Sequence, residues 1–335
     1  MNKKLGVGIV GYGKVASRQH SRWISKRNDV FVAAVCDTAD VRRDAARSDH
    51  PDAALYAEYG DMVGSDDVDL VLVTTPPNTH CALAVQAASA GKHVFVDKPF
   101  AATGEEAEEM LRAAEASGVV MHCNQSRRFD GEFRTIADTV AAGRIGDVLH
   151  IRRVWAQYGT TWTSYGVDGF NPTWRIQRAY GGGMVYDYAP HCGDQVLMLV
   201  GAPLKTVFAD ARALKWSEEV DDHFSCTMRF ENGATAYLEA SNVAPLPAPG
   251  WYVMGSKGSM TCEGVNKPVT LYTEDSEHEE VLEPVPSADR LHDNVVAACF
   301  GHAEPCVTPA QLRASTGLID AIFASAASGA SVAVR

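Results

Sequence analysis

The stretch Leu5-Gly6-Val7-Gly8-Ile9-Val10-Gly11-Tyr12-Gly13-Lys14-Val15-Ala16 decides how this chain folds. Its first six residues run without polar alternation, as a strand buried on both faces of a parallel sheet would. Next comes G-x-G-x-x-A, opening a helix. Gly11 allows a tight turn, Gly13 lets the backbone approach a pyrophosphate, and Ala16 permits close helix–strand packing. The helix N-terminus adds N–H donors for the anion. Alone the motif is weak, because glycine-rich turns have many uses. Asp37 strengthens it, standing 24 residues beyond Gly13 at the end of a second apolar run. A carboxylate there accepts hydrogen bonds from a ribose 2′-OH and repels a 2′-phosphate, which favours NAD. Arg42 and Arg43 keep NADP open, and by itself Asp37 reads equally well as a helix N-cap.

Working outward, Val30–Cys36, Asp69–Thr74 and His93–Val96 are further strand candidates. Between them lie helical patterns. Asn78 is an expected N-cap for a helix ending near Ala90. Thr103-Gly104-Glu105-Glu106 has capping-box spacing before Ala107, Met110, Leu111 and Ala114, and Gly118 is the stop. Repeated strand–helix–strand units predict an α/β fold with a doubly wound parallel sheet. After about residue 122 the pattern changes. Phe133, Ile136, Ala137 and Val140 mark a helix stopped at Gly143, and strands follow from Val148. In His223–Phe230, Phe224, Cys226, Met228 and Phe230 alternate with His223, Ser225, Thr227 and Arg229. Ala234–Ser241 alternates likewise across a Glu231-Asn232-Gly233 turn, as in a sheet with one open face. A last helix after Pro309 has Leu312, Leu318, Ile319, Ile322 and Phe323 as core candidates. The expected division is a dinucleotide-binding Rossmann domain over 1–122 and an α+β domain over 123–335. The latter would carry a large, mostly antiparallel, open-faced sheet.

Composition bounds the partners. The 335 residues hold 30 basic and 42 acidic side chains, a net charge of −12, which argues against a nucleic-acid ligand. No apolar run approaches the ~20 residues that span a bilayer. Lys3-Lys4 and the run after them imitate a secretory leader, but Lys14 interrupts it and its glycines suit a nucleotide turn. Eight scattered cysteines without a CxxC pair read as reduced thiols of a cytoplasmic protein with no metal site.

Three more motifs can carry chemistry. Thr74-Thr75-Pro76-Pro77-Asn78-Thr79-His80 lies at the C-terminal end of a strand, where open α/β sheets bind ligands. Asp97-Lys98-Pro99 follows the next strand. A lysine at such an edge is usually a solvated charge, but beside a cofactor crevice it steadies an alkoxide or donates a proton. The third is Gly181-Gly182-Gly183, running into Met184-Val185-Tyr186-Asp187-Tyr188-Ala189-Pro190-His191-Cys192-Gly193-Asp194. Pro190 requires a helix start within the few residues before it. Asp187, His191 and Asp194, at i, i+4 and i+7, are expected on one helix face. A carboxylate one turn from an imidazole fixes its tautomer, as a general base on a hydroxyl needs. A core histidine with a structural acid partner is the plainer reading of the same residues.

In this order, G-x-G-x-x-A, strand-end Asp, T-P-x-x-x-H, D-K-P and G-G-G-x-x-x-D-x-x-x-H resemble the Gfo/Idh/MocA oxidoreductases over nearly the whole chain. The match includes Gly255-Ser256-Lys257-Gly258-Ser259 and the final helix. The resemblance implies NAD or NADP held by Gly11, Tyr12, Gly13, Lys14, Val15, Ala16, Asp37, Thr38, Thr74, Thr75, Pro76, Asn78, His80, Asp97, Lys98 and Gln125. It implies a Lys-Pro step that is often cis, and Lys98, Asp187 and His191 as the catalytic set. Arg128, Trp155, Trp174 and Arg175, with the catalytic three, would contact a sugar or cyclitol. Trp162 is a further candidate ring face. Two positions depart from the family pattern. Asp97 replaces the usual Glu before Lys-Pro, and Arg127-Arg128-Phe129 lacks the Pro that commonly follows the arginine. The expected activity is hydride transfer between a secondary alcohol of a sugar, sugar derivative or cyclitol and the nicotinamide. A homodimer or homotetramer would form through the open sheet face. Two alternatives keep the same motifs: a non-redox enzyme oxidising a glycoside transiently with retained NAD, and a non-catalytic nucleotide sensor.

Overall fold

Uninterrupted runs of Val, Ile, Leu and Ala build the first sheet. The computed structural model describes residues 4–159, 168–287 and 290–334. Its first six strands are β1 (Leu5–Val10), β2 (Val30–Cys36), β3 (Ala54–Tyr56), β4 (Leu70–Val73), β5 (His93–Val96) and β6 (Met121–Cys123). They pair in parallel in the order β3-β2-β1-β4-β5-β6. Every residue of β1 and β4 is buried, as strands covered on both faces require. The order reverses beside β1, so the loops after β1, β4 and β5 open on one carboxyl edge, where such sheets receive ligands.

The connecting helices follow their local signals, with two exceptions. Helix Gly104–Ser117 starts at Thr103, whose side chain accepts from the Glu106 N–H, and stops at Gly118 in the left-handed region. Asn78, in contrast, is not an N-cap. It sits inside a 3-10 turn, Pro77–Thr79, and the α-helix proper is His80–Ser89. The cause is local: Pro77 cannot donate, and the Thr79 hydroxyl bonds Thr75 Oγ1 and the Pro76 carbonyl at 2.7 and 2.8 Å. After the first glycine turn the chain also widens into a π-helical turn, Ala16–His20, before α-helix Ser21–Ile24.

The second sheet contains β7 (Val148–Ala156), β8 (Leu204–Arg212), β9 (His223–Phe230), β10 (Thr235–Ser241), β11 (Trp251–Gly255) and β12 (Gly258–Cys262). It is completed by β13 (Val269–Thr273), β14 (Glu280–Leu282) and β15 (Val332–Ala333). Their order is β14-β13-β12-β11-β7-β10-β9-β8-β15, antiparallel except for β7 against β10. Phe224, Cys226, Met228 and Phe230 on β9 are buried against the core, and Ala236, Leu238 and Ala240 continue that face on β10. Of the last helix, Pro309–Ser328, residues Leu312, Leu318, Ile319 and Ile322 are buried. Phe323 is half-buried instead, its ring 5.0 Å from that of Tyr186.

The chain divides into two compact units. One gathers Met1–Asn124, Thr161–Gly182 and Leu291–Leu312; the other gathers Gln125–Thr160, Gly183–Arg290 and Arg313–Arg335. The sequence drew a single division near residue 122, whereas two later pieces return to the nucleotide-binding unit. In that unit Leu291, Val295 and Val296 are buried, and His292 packs on the rings of Trp23 and Phe95. Thr161–Gly182 returns through its described part, where Gly181 meets Pro77 and Gly169 meets Val41. Among the described residues no helix is long and apolar enough to cross a membrane, and no group of His, Cys, Asp or Glu is arranged to hold a metal.

Candidate active site

Three strand ends assemble the nucleotide-binding edge. After β1, Gly11 takes φ +85°, and a Cβ there would lie 2.7 Å from Thr75 Cγ2. Thr74, after β4, locks that turn by donating its hydroxyl to the carbonyls of Val10 and Gly11, at 3.0 and 2.6 Å. Gly13 differs from Gly11. A Cβ built on it meets nothing within 4 Å among the described residues. Glycine at 13 therefore leaves room for an incoming group instead of relieving a contact inside the protein. This is the fit a pyrophosphate requires. Lys14 and Val15 come next, half-buried, and Ala16 is fully buried, so its small side chain does allow the close packing.

Tyr12 points away from that opening. It is buried, its hydroxyl donates to Asp49 at 2.8 Å, and burial drives its pKa far up. Only its backbone faces the motif, donating its N–H to Asp37 Oδ2 at 2.8 Å. Asp37 is itself buried. Its Oδ1 accepts from the Ala39 N–H at 3.0 Å, and its Oδ2 also accepts from Arg42 Nη1 at 3.1 Å. Thr38, next in the chain, is exposed, as is Asn78.

After β5 the Lys98-Pro99 peptide is cis. Asp97 Oδ1 accepts from the Lys98 N–H at 2.9 Å and from Asn124 Nδ2 at 3.0 Å. The shorter acid at 97 is thus turned onto its own loop, where it fixes the backbone that carries Lys98. Sequence reasoning missed Asn124. It is buried at the end of β6, and its Oδ1 lacks a hydrogen-bond partner among the described residues. A buried acceptor in that state fits a ligand N–H such as an amide. Gln125, in the other unit, is also buried with Oε1 in the same state.

His80 is not placed as a cofactor contact. Its ring is buried, with Nδ1 2.8 Å from the Pro99 carbonyl and Nε2 2.9 Å from the Thr75 carbonyl. It ties the loop after β4 to the loop after β5. Burial pulls its pKa down, against two carbonyls that favour a proton on both nitrogens.

The triple glycine, whose last member Gly183 opens the second unit's segment, leads into helix Met184–Tyr188, a π-helical turn Ala189–Gly193 and helix Asp194–Val200. The π turn seats Pro190, which a continuous α-helix at that position would not tolerate. It also changes the expected face. One extra residue in the turn rotates the next helix by roughly 100°, so Asp194 leaves the side that carries Asp187 and His191. Asp194 instead pairs with Arg128, Nε to Oδ2 at 2.7 Å and Nη2 to Oδ1 at 2.6 Å, both side chains 4% exposed. Arg128 is therefore held by an internal carboxylate. His191 lies buried on the π turn, and Asp187 is half-buried one turn before it.

Two neighbouring acids that the sequence reading passed over hold this region in place. Asp221 accepts from the Val185 N–H at 2.7 Å, capping the short helix that bears Asp187; burial raises its pKa to about 6. Asp222 accepts from the N–H groups of Leu214, Lys215 and Trp216. Their signal was an acidic pair immediately before a strand, Asp221-Asp222-His223. Trp155 is half-buried between Arg127, 4.3 Å from its ring centre, and Tyr188, 4.9 Å away. Trp174 and Arg175 form a 3-10 turn in the nucleotide-binding unit, the guanidinium 4.6 Å from the indole. Trp162 lies outside the described residues.

The first unit thus carries an open glycine turn and a strand-end lysine, and the second carries a buried histidine four residues after a half-buried acid. Comparison with known proteins agrees with that equipment. The 1,5-anhydro-D-fructose reductase of Ensifer adhaerens is 30% identical over 288 residues, 83% of each chain. The NADP-dependent scyllo-inositol 2-dehydrogenase of Bacillus subtilis is 29% identical over 260 residues, covering 78% of this chain and 69% of that one. An NAD-binding protein from Listeria innocua superposes with a TM-score of 0.86 at 29% identity, over 99% of this chain and 97% of that one. Residues 5–125 match the family model of oxidoreductases with an NAD-binding Rossmann fold, and residues 133–261 match the GFO/IDH/MocA C-terminal domain. The chain belongs to the Gfo/Idh/MocA oxidoreductases.

Proposed function

We propose that this NAD(P)-dependent oxidoreductase acts on a secondary alcohol of a sugar, sugar derivative or cyclitol. The observation that carries the reading is the single edge formed by the loops after β1, β4 and β5. There an open glycine turn follows β1 and Lys98 follows β5, with β4 between the two strands. The bound nicotinamide supplies the hydride acceptor or donor, and the protein supplies geometry and proton handling. His191 takes the hydroxyl proton on a ring nitrogen while Asp187 sets its tautomer. Lys98 is the second candidate for charge handling, its ammonium able to donate a hydrogen bond that steadies an alkoxide. Asp97 holds the Lys98 backbone, so the ammonium is delivered from a fixed loop. The names of the relatives support sugar and cyclitol substrates.

A polyol panel followed by NADH or NADPH absorbance tests this. Lys98→Ala and His191→Ala should each lower kcat by about 10²–10⁴ while cofactor affinity stays within threefold. Activity retained in both variants would remove the site assignment. Retained cofactor with turnover but no net reduced nucleotide would favour transient oxidation of a glycoside.

The open face of the second sheet supports self-association. Phe208, Tyr252, Met254 and Tyr272 are exposed on its strands. Tyr252 stands opposite Arg152, which in turn stands opposite Tyr237. Sedimentation velocity should show a dimer or tetramer at micromolar concentration; a monomer would remove the interface.

A further inference from the structure

In the second unit, the loop between β8 and β9 carries a cluster that hydride transfer leaves unused. Asp222, fully buried, accepts the backbone N–H groups of Leu214, Lys215 and Trp216 at 2.8, 2.7 and 2.6 Å. Three charge-assisted bonds to one carboxylate fix the backbone of this loop. Trp216 is also held by its indole, whose N–H donates to the Asn242 carbonyl at 2.9 Å. Lys215 is exposed and donates from its ammonium to the Tyr158 hydroxyl. The Tyr158 and Trp216 rings meet edge to face, 5.6 Å apart. Tyr158 is thus held at its hydroxyl and against a neighbouring ring, yet it is 51% exposed. Such a ring gives up side-chain freedom and gains little burial. A ligand's C–H groups on its open face would supply the missing contact.

A row of side chains joins this cluster to the helix that bears Asp187. Gln157, one residue before Tyr158, donates its amide to Asn242 Oδ1 and, at 3.4 Å, to the Tyr188 hydroxyl. Tyr188 follows Asp187 in the chain, and its ring lies 4.9 Å from that of Trp155. Gln157 and Asn242 stand between Tyr188 and the Trp216–Tyr158 pair. A ring seated on Tyr158 is therefore a second ring, not the one that exchanges hydride. Exposed Glu218 and Glu219 in the same loop disfavour an anionic group there. Resting on the sugar or cyclitol reading above, we propose that Tyr158, Lys215 and Trp216 form an outer subsite for a second, neutral hydroxylated ring, so that the preferred substrate is a glycoside. The Tyr158 face takes the C–H side of that ring, and the ammonium, which has N–H donors beyond the one on Tyr158, takes its hydroxyls.

Steady-state kinetics of the full-length protein reads this directly, with glucose and myo-inositol as single rings and maltose, cellobiose and trehalose as linked pairs. Wild type should show a KM for at least one disaccharide about tenfold or more below that for either single ring. Tyr158→Ala should raise that KM about tenfold, with its kcat and the single-ring KM within about twofold of wild type. Lys215→Met should move the same KM in the same direction by less. Turnover of single rings without a disaccharide preference would overturn the inference and leave the dehydrogenase reading intact. So would a Tyr158→Ala variant that raises both KM values equally, that raises neither, or that changes the sedimentation coefficient instead. Turnover of no substrate by wild type would overturn both.

Discussion

Two arginine–aspartate pairs, one fully and one partly buried, use the same chemistry in different ways. Arg128–Asp194 is closed: two parallel bonds at 2.6 and 2.7 Å, with each side chain 4% exposed. Arg42–Asp37 is open: one bond at 3.1 Å, the carboxylate shared with two backbone donors, and Nη2 left over. The first pair is bidentate and almost wholly buried. The second leaves a buried donor without a hydrogen-bond partner among the described residues. The glycines divide the same way. Gly183 sits at φ +117°, and a Cβ there would lie 2.5 Å from Asp221 Oδ1, whereas Gly13 faces nothing. Residue type alone does not separate these cases; the surroundings of the residue do.

The largest effect should come from breaking the closed pair. Removing one partner of a buried ion pair strands the other charge and costs about 3–5 kcal/mol. Arg128→Ala should lower unfolding free energy by that amount in urea titrations, and Arg128→Leu with Asp194→Leu should recover most of it. A loss below about 1 kcal/mol with a raised KM would instead make Arg128 a substrate contact. A smaller effect separates the glycines. Gly183→Ala should destabilise by about 2–4 kcal/mol through backbone strain and the clash with Asp221. Gly13→Ala should leave stability within about 0.5 kcal/mol but weaken NADH roughly tenfold, about 1.4 kcal/mol. Equal stability losses at both positions would erase the contrast.

How far a feature could be read in advance depends on how local its signal is. The limits of β1, β2 and β5 match their apolar runs, and the Thr103 cap and the hairpin of β9 and β10 match spacing and alternation. Each depends on residues within a few positions of one another. The π turn at Ala189–Gly193 left no periodic trace, because one inserted residue changes phase without changing composition. The partners of His80, Asn124 and Asp221 come from other loops, so side-chain type marked them as polar and nothing marked their partners. The return of Asp168–Phe170 to Arg42 rests on a single glycine whose neighbours lie well over a hundred positions away. The motif residues themselves were legible because a phosphate-binding turn is built from consecutive positions.

The discontinuous nucleotide-binding unit has a consequence for the protein as it is made. Its first piece ends at Asn124, but its last piece ends at Leu312, 188 residues later by subtraction (312 − 124). At about 5–20 residues per second, a ribosome would need roughly 10–40 s to add them. For most of that interval β4 and β5 exist without helix Arg290–Cys299, whose His292, Val295 and Val296 line one apolar cavity with Leu70, Leu72 and Phe95. A chain stopped at the end of the Rossmann sheet would therefore emerge with its apolar face open. During synthesis, this unit begins first yet is completed only after most of the other has left the tunnel.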